Sequence, residues 1–148
     1  MLPGTRLAHC HRTPYMVGVG IVHSRSRGRA AYSGLQTCGS VHVCPLCASK
    51  IAARRKEELE AAVAVAKGRG YAMLFLTFTV QHQAHHGCGQ VLEWLRGATR
   101  RFRYGRPWQE LKRRLGLVGY VSTTEVTHGE HGWHPHGHEL WVCSGLDT

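Results

Sequence analysis

The sequence predicts an α+β protein, with an antiparallel sheet and flanking helices preceded by a small cysteine-rich zinc-binding segment. An apolar, β-branched segment at 71–80 lies between two segments of helical periodicity, and two more strand-like segments close the chain. Four of the six cysteines fall within the first 47 residues. We therefore expect a cysteine-rich zinc segment and its helix at 1–70, and the sheet domain at 71–148.

The net charge of the chain indicates which class of partner it binds. Its 148 residues include 19 Lys and Arg against 9 Asp and Glu, a net charge of +10. Such an excess of basic residues is typical of proteins that bind a polyanion, most often nucleic acid. No segment has the pattern of a basic amphipathic membrane anchor, so we expect nucleic acid and not a membrane as the partner.

Apolar runs and cysteine content predict the compartment. No apolar run near the amino terminus is long enough for a signal peptide, and the segment at 71–80 is about half the length of a membrane span. We therefore expect a cytoplasmic protein. Because the cytoplasm is reducing, the cysteines of this chain are better interpreted as metal ligands than as disulfide partners.

The first half of the chain contains one clear helix. Residues 1–47 show little periodicity, and 23–29 has the composition of an exposed basic loop. Residues 48–67 are helical in pattern, and Gly68 and Gly70 end the helix. Its apolar positions recur at spacings of three, four and their multiples: Ile51, Leu59, Ala62, Val63 and Ala66.

The second half alternates strands and helices. Segment 71–80 is apolar on both faces, which predicts a central strand covered on both sides. A helix follows at 90–103 and a shorter one at 108–115, stopped by Gly116. The stripe of the first of these helices comprises Val91, Leu95, Ala98 and Phe102.

Two strands close the chain, at 119–127 and 136–143. The segment between them, 128–135, contains Gly129 and Gly132 and is rich in turn-forming residues. We expect an antiparallel hairpin with a long loop.

Five histidines between residues 128 and 138 predict a metal site. His136 and His138 alternate along a strand and therefore share a face. Pro135 fits best at the first position of that strand, which leaves His134 in the loop. In the antiparallel hairpin, Glu125 lies roughly opposite His136. The three residues would hold Mg²⁺ or Mn²⁺ in an open-sided site; the alternative is a histidine-rich surface loop with no specific ion.

The cysteines predict a second, structural site. Cys44 and Cys47 have the spacing of a zinc knuckle, Cys38 lies six residues earlier, and Cys10 supplies a fourth thiolate. His42 or His11 could replace one thiolate, and a redox-active cysteine pair is the competing interpretation. The remaining cysteines, Cys88 and Cys143, are interpreted as core or loop residues.

The helix at 90–103 carries four arginines: Arg96, Arg100, Arg101 and Arg103. They could follow a phosphate backbone and bind DNA with strong salt dependence. The alternative is a solvated helix face.

Several of these motifs together resemble a known family. The run EVTHGEHGWHPHGHELWV resembles the metal-binding motif of the His-hydrophobe-His (HUH) endonucleases, and specifically of the rolling-circle plasmid replication initiators found in actinobacteria. FLTFTV resembles the strand beside the metal histidines, and CGSVHVCPLC followed by SKIAARRKEEL resembles the cysteine segment and helix before the catalytic domain. The resemblance covers most of residues 38–142 in the family's order.

The resemblance implies an HUH endonuclease-like fold, here incomplete, and a DNA-nicking activity. A tyrosine hydroxyl attacks a phosphodiester at a replication origin, which leaves a 5′-phosphotyrosine link and a free 3′-hydroxyl. The partner would be single-stranded DNA or an origin duplex. The metal would polarise the scissile phosphate.

Two positions depart from the family pattern. Residue 137 is Gly where the motif has a hydrophobe. The family's nucleophilic tyrosine lies on a helix well downstream of the histidines, and no tyrosine of this chain matches its position: Tyr15, Tyr32, Tyr71, Tyr104 and Tyr120. We expect an amino-terminal fragment that is inactive alone. The alternatives are a zinc-stabilised DNA-binding module without catalysis and an HNH-type nuclease that activates water.

Overall fold

The computed structural model describes residues 4–26 and 28–146. The chain forms two compact units, Met1–Ala61 and Ala62–Thr148, and the boundary between them falls inside a long helix. Helices and small antiparallel sheets make up the described residues, which confirms the α+β class. The proposed functional division into 1–70 and 71–148 stays a prediction.

The first unit contains a two-stranded antiparallel sheet. Strand β1 (Gly20–Ser24) pairs with β2 (Arg29–Ser33). The prediction of a loop over 23–29 was therefore wrong at both ends, because residues 23 and 24 belong to β1 and residue 29 to β2. The turn between the two strands is the part of the prediction that was right. β-branched Ile21 and Val22 favour the extended backbone that their positions in β1 require.

Helix α1 (Pro45–Gly68) confirms the predicted helix and begins three residues earlier. Pro45 suits the first position, where no backbone donor is needed. At either end of the predicted apolar stripe, Ile51 packs against buried cysteines and Ala66 is buried. Between them Leu59 is exposed, so the stripe is not continuous. Oppositely charged residues one helical turn apart stabilise a helix that does not pack against other elements. In this stretch, Arg54 pairs with Glu58 and Lys56 with Glu60.

The second unit contains a three-stranded antiparallel sheet in the order β3-β5-β4. Its strands are β3 (Ala72–Phe78), β4 (Leu117–Gly129) and β5 (Gly132–Cys143). The strand predicted at 71–80 is confirmed, but its central position is wrong, since β5 is the central strand. Phe75 shows the reason: its side chain is 69% exposed on the face of β3 opposite the core.

The β4–β5 hairpin is tighter than predicted. Gly129 pairs with Gly132, so the long loop was wrong and a two-residue turn takes its place. Gly132 has φ +83°, and a Cβ there would lie 2.8 Å from backbone atoms of Ala84. Pro135 is consequently inside β5 and not at its start. It pairs with Val126 beyond the last β3–β5 pair, where β5 has one hydrogen-bonding neighbour and a missing donor is tolerated.

Two helices follow β3, α2 (Cys88–Phe102) and α3 (Gly105–Leu115). Both confirm the predicted helices, and Gly116 ends α3 with φ 57°. The largest side chains of one core cluster in this unit belong to Trp108 and Trp141, which are buried together with Cys143. The half-buried residues packed against them are Leu74, Leu76, Phe78, Leu111, Leu115, Leu117 and Leu146. In the described part of the chain, no helix combines the length and apolarity needed to cross a bilayer.

Candidate metal centre

The histidines lie on the sheet face opposite the tryptophan core. Alternation along β5 points His134, His136 and His138 to this face, while Trp141 and Cys143 point to the core. Residues paired across an antiparallel ladder share a face, and the register pairs Glu125 with His136, as the sequence predicted.

Glu125, His136 and His138 come together as a compact donor set, with all three ligand atoms within 4.8 Å of one another. The Oε2 atom of Glu125 lies 3.3 Å from Nε2 of His136 and 3.3 Å from Nε2 of His138. Neighbouring ligands on one divalent ion, at metal–ligand distances of about 2.1 Å, lie about 3.0 Å apart. The spacing therefore fits a single ion.

Hydrogen bonds at the far side of each ring orient the imidazoles. Nδ1 of His136 lies 3.2 Å from the carbonyl oxygen of His134, and because a carbonyl can only accept, Nδ1 carries the proton. A neutral His136 then turns the lone pair of Nε2 towards Glu125. Nδ1 of His138 lies 3.0 Å from the hydroxyl of Thr77 on β3. Such partners fix ring orientation and are typical of metal-binding histidines.

The electrostatics of the cluster favour a cation. A neutral imidazole lone pair and a carboxylate oxygen are both acceptors, so their approach is stabilised by a proton or a metal ion between them. The side chain of Glu125 is 57% exposed, whereas His136 and His138 are mostly buried. The carboxylate side of the cluster is therefore open, and a ligand oxygen could reach an ion held there.

Two residues near this cluster were missed by sequence reasoning. Thr77 was not singled out, although the alternation of FLTFTV places it on the histidine face. His134 was assigned to a loop, but it lies in β5, with its ring centroid 5.2 Å from that of His136. The signal that could have found it is the Gly129–Gly132 spacing, which suits a two-residue turn and extends β5 backwards.

Gly137, which replaces the hydrophobic residue of the family motif, affects the packing under α2. Gly137 faces α2, where it lines a cleft of about 120 Å³ together with Arg96, Thr99 and Ser122. A Cβ at Gly137 would meet Phe78 and Thr123 at 3.9 Å, an ordinary contact distance. The missing hydrophobe therefore leaves a small cleft under α2 and does not disturb either histidine.

Tyrosines of the second unit lie away from the histidines. Tyr120 is on the core side, under the Arg103 guanidinium at 4.6 Å from the ring centroid. Tyr71 precedes β3, at the end of the sheet opposite the histidines, and Tyr104 caps the start of α3. Sequence and structure thus both leave the nucleophile unassigned.

The four predicted cysteines also come together, in the first unit. Sγ of Cys10 lies 3.6 Å from that of Cys44 and 3.5 Å from that of Cys47, and Cys38 lies 3.7 Å from Cys47. Sulfurs on a tetrahedral zinc ion, with Zn–S about 2.3 Å, lie about 3.8 Å apart. The donor set fits zinc, and it is made of thiols alone: neither His11 nor His42 belongs to it among the described residues.

Burial and backbone donors give two of these thiols very different acidities. A backbone N–H of Cys38 lowers the pKa of Cys10, but burial and the three neighbouring thiols outweigh it and raise the pKa to about 12. Burial raises the pKa of Cys47, but the Gly39 N–H and the same neighbours outweigh it and lower the pKa to about 7. Four packed thiols can shed their protons together only when a cation replaces them.

The four arginines of α2 do not form one surface. Arg96, Arg100 and Arg101 are exposed. Arg103 is instead engaged inside the unit, where it forms an ion pair with the buried Glu139. The other carboxylate oxygen of Glu139 accepts from Nε1 of Trp141 at 2.7 Å. The interpretation of Arg103 as a free DNA-binding residue is therefore not supported by its surroundings.

Comparison with known proteins decides the family. The sequence signature of the family Rep_1, described as replication protein, matches residues 32–145. The chain belongs to this family. The matched residues include β4 and β5, which carry the candidate metal ligands, and three of the four clustered cysteines.

Two curated relatives match this replication protein over most of the length of the chain. It is 30% identical over 152 residues to "Protein rep" of Streptomyces lividans, covering 84% of this chain and 33% of the relative. It is 33% identical over 153 residues to "Neomycin resistance protein" of Streptomyces cyanogenus, covering 85% of this chain and 35% of the relative. The chain thus spans about a third of the length of these relatives. No solved structure matches the chain.

Proposed function

We propose that the chain is the metal-binding part of a rolling-circle plasmid replication initiator with an HUH-type centre, which nicks one DNA strand through a tyrosine. The observation that carries the proposal is the meeting of Glu125, His136 and His138 on one open sheet face. Membership of the replication protein family supports DNA as the substrate. The tyrosine that would attack is not assigned to any position of this chain.

The donor set matches the chemistry that such a reaction requires. A divalent cation bound there would neutralise charge on a phosphodiester oxygen. Two imidazoles suit Mn²⁺ better than Mg²⁺, which prefers an all-oxygen shell. His136 and His138 would bind through Nε2, and Glu125 would supply the negative charge on the open side. Thr77 would keep the ring of His138 in the binding orientation.

The exposed arginines and the cysteine cluster support the proposal in different ways. Arg96, Arg100 and Arg101 would contact phosphates and add affinity that does not depend on sequence. The cysteine cluster would hold Zn²⁺ in a closed, structural site that stabilises the first unit. Neither feature by itself requires catalysis.

The test is cation-dependent binding of single-stranded DNA. A fluorescent oligonucleotide is titrated with the full chain in Mn²⁺ and in chelator, and its anisotropy is recorded. We expect Mn²⁺ to increase affinity in the unsubstituted chain and not in the double variant His136→Ala/His138→Ala. His131→Ala is the matched control, because His131 lies in the exposed turn of the same hairpin. Equal Mn²⁺ dependence in all three proteins would contradict the proposed metal role.

Product analysis separates the alternatives. Labelled DNA is incubated with the chain and Mn²⁺ and resolved under denaturing conditions. Hydrolysis to free ends without a protein adduct would favour a water-activating HNH-type nuclease. DNA binding that is independent of the cation, without cleavage, would favour a zinc-stabilised binding module. A covalent adduct, formed after the chain is extended to the length of its relatives, would support tyrosine transesterification.

A further inference from the structure

A pair of imidazoles, His82 and His134, lies beside the proposed centre. His82 is in the loop between β3 and α2, and its ring centroid lies 5.0 Å from that of His134 on β5. His134 in turn lies next to His136 on the same strand face. The imidazole row along the sheet therefore continues past the proposed centre into this loop.

His82 presents a ligand atom that lacks a partner. Its Nδ1 lies 3.2 Å from the carbonyl oxygen of Val80, which can only accept, so Nδ1 carries the proton and Nε2 carries a lone pair. That Nε2 is buried and has no hydrogen-bond partner among the described residues. A buried acceptor without a partner destabilises a protein, and a bound cation would satisfy it. His136 has the same arrangement, with Nδ1 donating to a carbonyl two residues earlier.

The ring separation suits two ligands of one ion. With a metal–nitrogen distance of about 2.0–2.1 Å and an angle of 90–109° at the ion, the centroids of two bound imidazoles lie about 4.5–5.2 Å apart. The centroids of His82 and His134 lie within this range, and their ring planes are inclined by 40°.

The backbone holds the loop against the hairpin independently of the histidines. Ala84 lies so close to Gly132 that a Cβ on Gly132 would be 2.8 Å from its Cα and carbonyl oxygen. This contact places the loop at the tip of β4 and β5, where His134 is located. The two imidazoles are therefore brought together by a backbone contact that does not involve their own side chains.

We propose that His82 and His134 form a second cation site, which binds a zinc-class divalent ion and joins the loop at 79–87 to the β4–β5 hairpin. Two imidazole ligands without a carboxylate select Zn²⁺, Co²⁺ or Ni²⁺ over Mg²⁺. Water or a phosphate oxygen completes the coordination. The site does not depend on the proposed nicking activity.

Zinc counting tests the site. The full chain and its variants are dialysed to equilibrium against micromolar Zn²⁺, and zinc per chain is measured by elemental analysis. His82→Ala and His134→Ala should each bind one zinc ion fewer than the unsubstituted chain. His131→Ala should bind the full number, because its side chain is exposed in the hairpin turn. Near-ultraviolet circular dichroism of Trp108 and Trp141 verifies that each variant is folded.

A variant that lacks the proposed nicking centre shows whether zinc is lost from the second site itself. In His136→Ala/His138→Ala protein, adding His82→Ala should still remove one zinc ion. Full zinc content in folded His82→Ala would overturn the proposal, whatever the outcome for the Glu125 centre. If His82→Ala does not fold, His134→Gln replaces it under the same criterion.

Hydrogen exchange tests the connection that the ion makes. Zn²⁺ should slow amide exchange in residues 79–87 by about tenfold or more in the unsubstituted chain. It should leave exchange in this segment unchanged in His82→Ala. Slowing of the same size in both proteins would mean that zinc acts elsewhere and would overturn the proposed link.

Discussion

The hydroxyl of Thr77 lies 3.0 Å from Nδ1 of His138, and this contact joins the edge strand β3 to the central strand β5 at the proposed metal centre. The interaction leaves Nε2 of His138 directed at Glu125, 3.3 Å away. A side chain that does not bind the ion itself thus determines how one of its ligands is presented.

Thr77→Val should therefore weaken Mn²⁺ binding without removing any ligand. Loss of such a partner weakens metal affinity by about 10–100-fold. Thr77→Ser retains the hydroxyl and should remain close to the unsubstituted chain. Calorimetric titration with Mn²⁺ measures both. Identical affinities for the Val and Ser variants would show that the hydroxyl does not orient His138.

A second prediction concerns the ion pair between Arg103 and Glu139. The carboxylate is 5% exposed, and among the described residues the substitution Arg103→Ala would leave it buried with Trp141 as its one side-chain donor. Removing one partner of a buried pair destabilises a protein by about 3–5 kcal/mol, and we expect about 3 kcal/mol because Arg103 is itself partly exposed. The free energy of unfolding is measured by urea denaturation.

Arg100→Ala is the control for this experiment, since Arg100 is exposed on the same helix. Its effect on stability should stay within about 0.5 kcal/mol. DNA binding should show the opposite order of effects. Arg100→Ala should reduce the salt dependence of DNA affinity, whereas Arg103→Ala should leave it unchanged as long as the protein is folded. Equal stability losses in the two variants would contradict the buried role of Arg103.

The pattern of the sequence predicted those elements whose signal is local. Helix α1 and the stop at Gly116 follow from periodicity and from glycine at a helix end. The pairing of Glu125 with His136 was predicted correctly even though the hairpin loop was not. At the hairpin, β4 is two residues longer than predicted and β5 four residues longer, yet both strands extend towards the turn from the same Glu125–His136 pair, so the error in loop length did not move that pair.

Features that depend on tertiary packing were not predictable in this way. The strand at 71–80 is apolar on both faces, which is the pattern of a central strand, yet β3 is at the edge of the described sheet. Pro135 marks a strand start only if β3 continues beside it, and β3 ends first. Arg103 has the same local sequence signal as Arg100, and only the position of Glu139 on β5 distinguishes them.

A third prediction concerns the cysteine cluster. Cys44→Ser should remove one zinc ion per chain and lower the melting temperature of the first unit, because a serine hydroxyl is a poor replacement for a thiolate ligand. Cys88→Ser is the matched control, since Cys88 lies at the start of α2 and outside the cluster. Elemental analysis and differential scanning calorimetry provide the two readouts. Unchanged zinc content in folded Cys44→Ser would rule out a four-thiolate site.

The last prediction concerns the pH dependence of a buried thiol. Burial raises the pKa of Cys143, and its side chain is completely inaccessible in the core cluster that it shares with Trp108 and Trp141. The thiolate is the form that alkylating reagents attack, and an ordinary cysteine ionises near a pH of about 8.5. Since a raised pKa delays ionisation to higher pH, raising the pH from about 7.5 to about 9 should not bring Cys143 into reaction with iodoacetamide in the folded chain.

Mass spectrometry of the alkylated peptides measures this directly. Cys88 is only half-buried and should be modified under the same native conditions, whereas Cys143 should be modified only in denaturant. The difference between the two sites should disappear when the chain is unfolded, because the cause is the core and not the local sequence. Native modification of Cys143 at the rate of Cys88 would mean that the Trp108–Trp141 core opens readily, and the sheet that presents His136 and His138 would then lack a rigid support.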